Sequence, residues 1–280
     1  VTPPVAGIKE AIIRRIAASH IAGPAVADAL AICRAGAARG WSMTICPWTG
    51  PDTDPDRALA LYEEALRSVS QERLDCRLSV KTPALGEDPG RVARLAGLAR
   101  DAGIALHVDA HGPETAATAL GFARAILGSN GRAGCTLPSR WRRSLEDAAL
   151  ARSLGLGVRL VKGQWNDTGG SIDHRENFLA IARALSGSAS TVSVATHDAA
   201  LARKALLILR ESGTPCELEL LFSLPLGVRK VAGELGVPVR LYAPYGHPYL
   251  PYNIMHVRTR PGIAVWALKN FLLGPSHRPH

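Results

Sequence analysis

The chain of 280 residues has no apolar run long enough to span a bilayer, which needs about 18 or more consecutive apolar residues, so a membrane-spanning role is excluded. Its five cysteines, Cys33, Cys46, Cys76, Cys135 and Cys216, form no CxxC pair and no Cys/His metal spacing. They are scattered, several of them inside apolar runs, and read as buried free thiols of a reducing, cytoplasmic compartment. There is no zinc-finger spacing, no RNA-binding signature and no interleaving of aromatics with the basic residues on the apolar runs. Nucleic-acid binding is therefore not expected, although the formal charge is +9. That excess is spread as Arg over helix-like segments and describes a solvated surface that admits peripheral contact with an anionic inner membrane. Dinucleotide-binding GxGxxG at a strand-to-helix turn is absent, since Gly128, Gly131 and Gly134 make only a loose run. Residues 1–20 carry Lys9, Glu10, Arg14 and Arg15 among their apolar residues, which breaks up a secretory core and predicts a leading helix.

What the sequence does contain is eight short apolar runs, each ending in or beside polar residues. They cover 42–46, 77–81, 104–109, 133–137, 157–163, 191–197, 217–222 and 239–246. Between them lie segments with apolar residues at helical spacing, such as 54–70 and 88–103. Eight alternations of strand and helix over this length predict an α/β fold: a single TIM-type (β/α)8 barrel spanning 1–280, with a short N-terminal helix and a frayed tail at 274–280. Apolar residues at 47% and charged residues at 20% suit one large core.

Side chains alternate along a strand, so each run divides into two faces. Arg77, Ser79 and Lys81 oppose Leu78 and Val80; His107 and Asp109 oppose Ile104, Leu106 and Val108; Glu217, Glu219 and Leu221 oppose Leu218 and Leu220; Arg240 and Tyr242 oppose Val239 and Leu241. The wholly apolar face must meet the helices, which leaves the polar set inside the barrel. Buried charges require partners or a ligand. Arg77, Glu217 and Arg240, near the strand starts, fit an internal salt-bridge network. Lys81, Asp109, Arg159, His197 and Tyr242 lie toward the strand ends, where barrel enzymes place their chemistry. Two chemical readings follow. His107, Asp109, His111 and His197 are the residue types of a hydrolytic metal site, although Gly112 and Pro113 end the strand before His111 can face the same way.

The second reading rests on motifs. Arg159-Leu160-Val161-Lys162-Gly163 resembles the fifth-strand motif of the proline dehydrogenase family, and Ala195-Thr196-His197 its sixth. Leu78 to Lys81 with Ala84-Leu85-Gly86 is similar to the second-strand segment, Val108-Asp109-Ala110 to the third, Glu217 to Leu221 to the seventh and Val239 to Gly246 to the eighth. The resemblance is collinear from about residue 20 to 272. It implies a barrel that binds FAD and oxidises proline or a proline-like cyclic secondary amine to an imine by hydride transfer, passing electrons to an acceptor such as a quinone or oxygen. By the same resemblance Arg159, Val161, Lys162, Gly163, Gln164, Trp165, Thr196 and His197 are expected against the cofactor. Lys81, Asp109, Arg159 and Tyr242 are expected in catalysis, and Leu221, Tyr252 and His256 around the substrate.

The chain also departs from the family. Where the last family helix carries Tyr-x-x-Arg-Arg-x-x-Glu, this chain has Tyr252-Asn253-Ile254-Met255-His256-Val257-Arg258-Thr259, without the paired arginines that grip the substrate carboxylate. On a helix His256 and Thr259 share a face with Tyr252, whereas Arg258 points about 120° away and Arg260 about 80°. Losing a bidentate contact to a buried carboxylate costs about 2 to 5 kcal/mol. A substrate with no free carboxylate is expected, or a non-catalytic descendant that binds a ligand. Nearer the flavin, Gln164-Trp165-Asn166, Leu137-Pro138-Ser139 and His111 replace the family's residues.

Overall fold

The structure is a computed structural model and describes residues 21–247 except 51 and 130. The expected leading helix, the tail, Tyr252, His256, Arg258 and Arg260 lie outside the described residues.

The apolar faces of eight parallel strands pack outward under a ring of helices, in strict alternation along the chain. Helix α1 (Val26–Ala37) precedes β1 (Ser42–Trp48), followed by α2 (Pro55–Glu72), β2 (Cys76–Val80), α3 (Pro89–Asp101), β3 (Leu106–Val108), α4 (Ala116–Gly128) and β4 (Ala133–Pro138). The second half continues with α5 (Ser144–Leu154), β5 (Gly157–Val161), α6 (His174–Ala184), β6 (Val192–Ala195), α7 (Ala199–Glu211), β7 (Cys216–Leu221), α8 (Arg229–Leu235) and β8 (Val239–Gly246). Each strand pairs with its sequence neighbours, and β8 closes on β1 through the register Thr44 to Tyr242. The TIM-type barrel expected from the eight runs is the observed architecture.

Aspartates fix where several helices start. Asp54 accepts from the backbone N–H groups of Asp56 and Arg57, Asp88 from Arg91, Asp173 from Arg175 and Glu176, and Asp198 from Leu201. These side chains satisfy amides that have no partner within the helix, and Pro55 and Pro89 occupy the first helical turn, where a missing N–H costs nothing. The buried stripe of α2, including Ala58, Tyr62, Ala65, Leu66 and Val69, lies against the outer faces of β1 and β2.

Five strands end earlier than their apolar runs, β7 by one residue at Leu221. β2 stops at Val80 because Thr82 to Leu85 turn into a 3-10 helix, and β6 stops at Ala195 because Thr196 Oγ1 accepts from the Asp198 N–H to begin α7. β3 pairs only over Leu106 to Val108, with Asp109 N still donating to the Val80 carbonyl at 2.8 Å. β5 stops at Val161. Two residues on, Gly163 has φ +84°, and a Cβ there would lie 2.5 Å from Pro138 Cβ, so the chain must turn out of the sheet on a residue without a side chain. Lys81, Asp109, Lys162 and His197 thus sit just past the strand ends, on the loops of the C-terminal face.

Candidate active site

Contacts between strands that are not neighbours show which side chains fill the barrel. Arg77 of β2 reaches across to Glu217 of β7 at 2.7 Å and to Ser193 of β6 at 3.0 Å, and Arg240 of β8 joins the same carboxylate at 2.9 Å. Ser193 also donates to Glu217, at 2.5 Å. This is the internal network expected for Arg77, Glu217 and Arg240. Burial alone would push the Glu217 carboxyl up, but the Arg240 and Arg77 guanidinium groups outweigh it and hold the group below the usual range.

A second charged layer lies about two residues further along the strands. Arg159 of β5 presents its Nε and Nη2 to the two oxygens of Glu219, each at 2.9 Å, and its Nη1 to Asp109 Oδ1 at 2.5 Å and Ser79 Oγ at 3.1 Å. The Tyr242 ring lies under the guanidinium, 4.8 Å from its carbon to the ring centroid. Arg159 is 5% exposed and Glu219 2%. The ion network therefore extends higher than the sequence alone implied and absorbs Arg159, which strand position had assigned to the open rim. Paired carboxylates are the one arrangement in which so deeply buried a cation is tolerated, and they raise its pKa despite the burial that opposes its charge.

Asp109 is the hub of this layer. Besides Arg159, its Oδ1 accepts from Thr136 Oγ1 at 3.0 Å and its Oδ2 from the Tyr242 hydroxyl at 3.2 Å, with Lys81 Nζ at 3.8 Å. Burial works against the charged carboxylate, but Arg159 and Lys81 prevail and hold its pKa below the ordinary value. Burial and the Asp109 charge push the Tyr242 phenol well up, so it remains a donor. Lys81 is tethered from two sides: its backbone N–H donates to the Tyr62 hydroxyl at 3.0 Å, and its ammonium lies 5.8 Å from the centroid of the Trp48 ring.

His107 sits beneath Asp109, with Nε2 3.2 Å from Thr136 Oγ1. It fits there because β4 has Gly134 alongside, where a Cβ would lie 2.5 Å from His107 Nδ1. Burial and the three arginines Arg159, Arg77 and Arg240 hold its pKa well below the usual value, so the ring stays neutral. The unfolded chain protonates this histidine near pH 6.5, whereas the folded one does not, so its contribution to stability is complete above that pH and is lost as pH falls below it. The expected result is a stability loss between pH 6.5 and 5 that is steeper in the native chain than in His107→Gln by about 1.4 kcal/mol per pH unit. Denaturant unfolding at several pH values measures it, and parallel slopes would contradict a buried neutral His107.

The metal-site reading does not survive this geometry. Leu221 N–H donates to His197 Nε2 at 3.1 Å, so that nitrogen carries no proton, and Nδ1–H is left to donate to the Pro225 carbonyl at 3.2 Å. With both nitrogens engaged by backbone, His197 cannot ligate a metal, and its polar atoms are turned from any ligand. His111 lies beside Trp165, ring centroids 6.1 Å apart, and among the described residues no group of three His, Cys, Asp or Glu side chains is placed to hold a metal ion.

The remaining expected cofactor residues line the loops after β5 and β6. Val161 ends β5, and the Lys162 carbonyl accepts from Arg140 N–H at 3.2 Å. The Gln164 carbonyl and the Asn166 side chain both accept from Arg140 Nη1, and the Trp165 carbonyl accepts from Trp141 Nε1. The loop is thus anchored by its backbone, leaving the Trp165 side chain 40% exposed. Leu221 ends β7, where its amide rather than its side chain makes the contact with His197. Reading the sequence missed Ser79, Thr136, Trp48 and Tyr62 as parts of this constellation. Ser79 was on the correct face by alternation, but nothing local marks a helix tyrosine or a neighbouring strand's tryptophan as a lysine's support.

The architecture is that of the TIM-type parallel barrels, with a charged centre gathered toward the C-terminal ends of its strands. No protein-family model matches the chain. It is 24% identical over 227 residues to proline dehydrogenase 1 of Bacillus subtilis subsp. natto, covering 75% of this chain and 74% of that protein, and 23% identical to the same enzyme of Bacillus subtilis strain 168 over equal coverage. Proline utilization A from Bdellovibrio bacteriovorus superposes with a TM-score of 0.72 at 17% identity, over 98% of this chain. A Bradyrhizobium japonicum proline utilization A variant gives 0.68 at 20% identity over 93%. The chain spans about a third of the length of those solved chains, 34% and 33%. The chain is thus similar in sequence to proline dehydrogenases, at 24% and 23% identity, and similar in fold to proline utilization A, through its eight-stranded closed barrel. Among the described residues, no helix is long and apolar enough to cross a membrane.

Proposed function

We propose that this chain is a flavin-dependent, proline dehydrogenase-like oxidoreductase acting on a cyclic secondary amine whose carboxylate is absent or esterified. The observation that carries the reading is Asp109, a buried carboxylate just past β3 that gathers Arg159, Thr136, Tyr242 and Lys81 from four other strands or their ends.

The donor set suits FAD. Arg159 and Lys81 would be the cations beside the flavin ring, where negative charge develops on reduction, and the buried Asp109 between them is already compensated by its donors. Arg159, Val161, Lys162, Gly163, Gln164, Trp165, Thr196 and His197 would hold the group, with Trp165 offering an aromatic face. His197 would contribute its ring surface, its nitrogens being committed to backbone. When bound, FAD supplies the hydride acceptor. The chain's own residues do the rest: Lys81 and Asp109 fix one side of the amine pocket, Tyr242 closes it as an apolar wall with its hydroxyl held by Asp109, and Leu221 ends the strand opposite. Excluding water there keeps the developing imine from side reactions. With FAD as the hydride acceptor, the C–H bond would break with its electron pair leaving as hydride, the nitrogen's proton would pass to solvent, and the C=N bond would form. A quinone or oxygen would then take up the electrons. The absence of paired arginines around Tyr252 and His256 supports an amine without a free carboxylate.

The test is anaerobic. The purified chain incubated with FAD is expected to retain absorbance at about 450 nm, and that band to bleach faster with esterified or carboxylate-free cyclic amines than with free proline. A chain that retains no flavin overturns the proposal. Bound flavin that no cyclic amine reduces would instead favour a ligand-binding descendant.

A further inference from the structure

Arg159 is held more completely than a residue meant only to meet a ligand needs to be. Among the described residues, four of its five N–H groups are used: two on Glu219, one on Asp109 and one on Ser79. The two bonds to Glu219 form a planar fork, the geometry in which a guanidinium is both fixed in orientation and matched in charge. Glu219 stands on β7, in register with Ala195 of β6 and Arg240 of β8, and at 2% exposure it has no water to disperse its charge. Nothing in the proposed chemistry needs Glu219 to touch the amine, and among the described residues its carboxylate faces Arg159 without also facing Lys81, as Asp109 does.

We infer that Glu219 is a positioning residue that sets the reduction potential of the bound flavin by fixing Arg159 and offsetting its charge. This rests on the flavin reading above. A cation beside the ring favours the reduced, more negative form, and a carboxylate bonded to that cation weakens the preference, the more so in a dry barrel where charges are poorly screened. The lower carboxylate, Glu217, is two residues back along the same strand, about 6.6 Å further from the C-terminal face. It faces Arg77 and Arg240 and acts on the flavin less.

The experiment compares Glu219→Gln, Glu219→Leu and Glu217→Gln with the native chain, each loaded with FAD and titrated against redox dyes without oxygen. Removing the Glu219 charge is expected to favour flavin reduction about tenfold, which is about 30 mV upward for a two-electron couple, in whichever of its two variants folds. Glu217→Gln is expected to move the equilibrium by less than half as many millivolts. An unchanged potential at Glu219, or an equal shift at Glu217, overturns the inference while leaving the function reading intact. Failure of both Glu219 variants to fold also overturns it, because the residue is then structural. Failure of the native chain to retain flavin removes both readings together, and is seen in the spectrum before any titration begins.

Discussion

Arg159→Met is expected to destabilise the barrel by about 3–5 kcal/mol, the largest loss of any single substitution at the site. The reason lies in what is left behind rather than in what is removed. Glu219 and Asp109 are 2% and 7% exposed and would lose the guanidinium that compensates both. Glu219 would be left without its two bonds from Arg159, and water cannot reach it. Asp109 would keep Thr136 and Tyr242 and a more distant Lys81. Urea unfolding of the flavin-free protein measures the cost without reference to function. Combining Arg159→Met with Glu219→Leu is expected to recover much of it, because an apolar pair of similar volume can replace a buried ion pair at little cost. A single variant within about 1 kcal/mol of the native chain would mean that water enters the barrel centre and that the network is solvated.

The second large effect is catalytic. Asp109→Ala is expected to leave the barrel folded, since Arg159 retains its fork on Glu219, yet to lower kcat/KM for the amine that bleaches the flavin by about 10²–10³. Asp109 positions the Tyr242 hydroxyl, and it is the carboxylate toward which Lys81 is drawn. Without it, the wall and the cation on the two sides of the pocket lose their common reference. The two substitutions thus separate the roles of neighbouring groups: one is read in unfolding and the other in turnover. Retained flavin absorbance with a loss under about tenfold in kcat/KM would remove Asp109 from the reaction.

Much of this arrangement could be read from the chain. Apolar and polar residues alternate with period two in each run, and only one assignment of faces is compatible with helices packing outside. That alone placed Arg77, His107, Asp109, Glu217, Glu219, Arg240 and Tyr242 in the interior, where the barrel has them. The segments 54–70 and 88–103, read as helical from their apolar spacing, are helices in the structure, where Asp54 and Asp88 cap their first turns. Strand ends were less legible. Hydropathy continues through Lys81 and Gly163, whereas pairing stops where the next loop turns, at Pro83 for one and against Pro138 for the other.

Pairings across the barrel left no trace in the sequence. Arg159 reaches a residue 50 positions before it and another 60 positions after it, and no local pattern states which of several interior carboxylates a guanidinium will meet. His197 shows the same limit. Its position at the end of the sixth apolar run was evident, but the backbone groups of Leu221 and Pro225 that occupy its two nitrogens come from the next strand and loop, and they removed the metal reading.

The sequence by itself determined the barrel, its inside and outside, and the family it resembles, because those depend on periodicity and on motifs carried within single strands. Closure of β8 onto β1 decided the rest. It brought the ends of β2, β3, β5, β7 and β8 around one dry centre, where a buried charge is tolerable only beside an opposite one, and so chose the partners of Arg159 and Asp109.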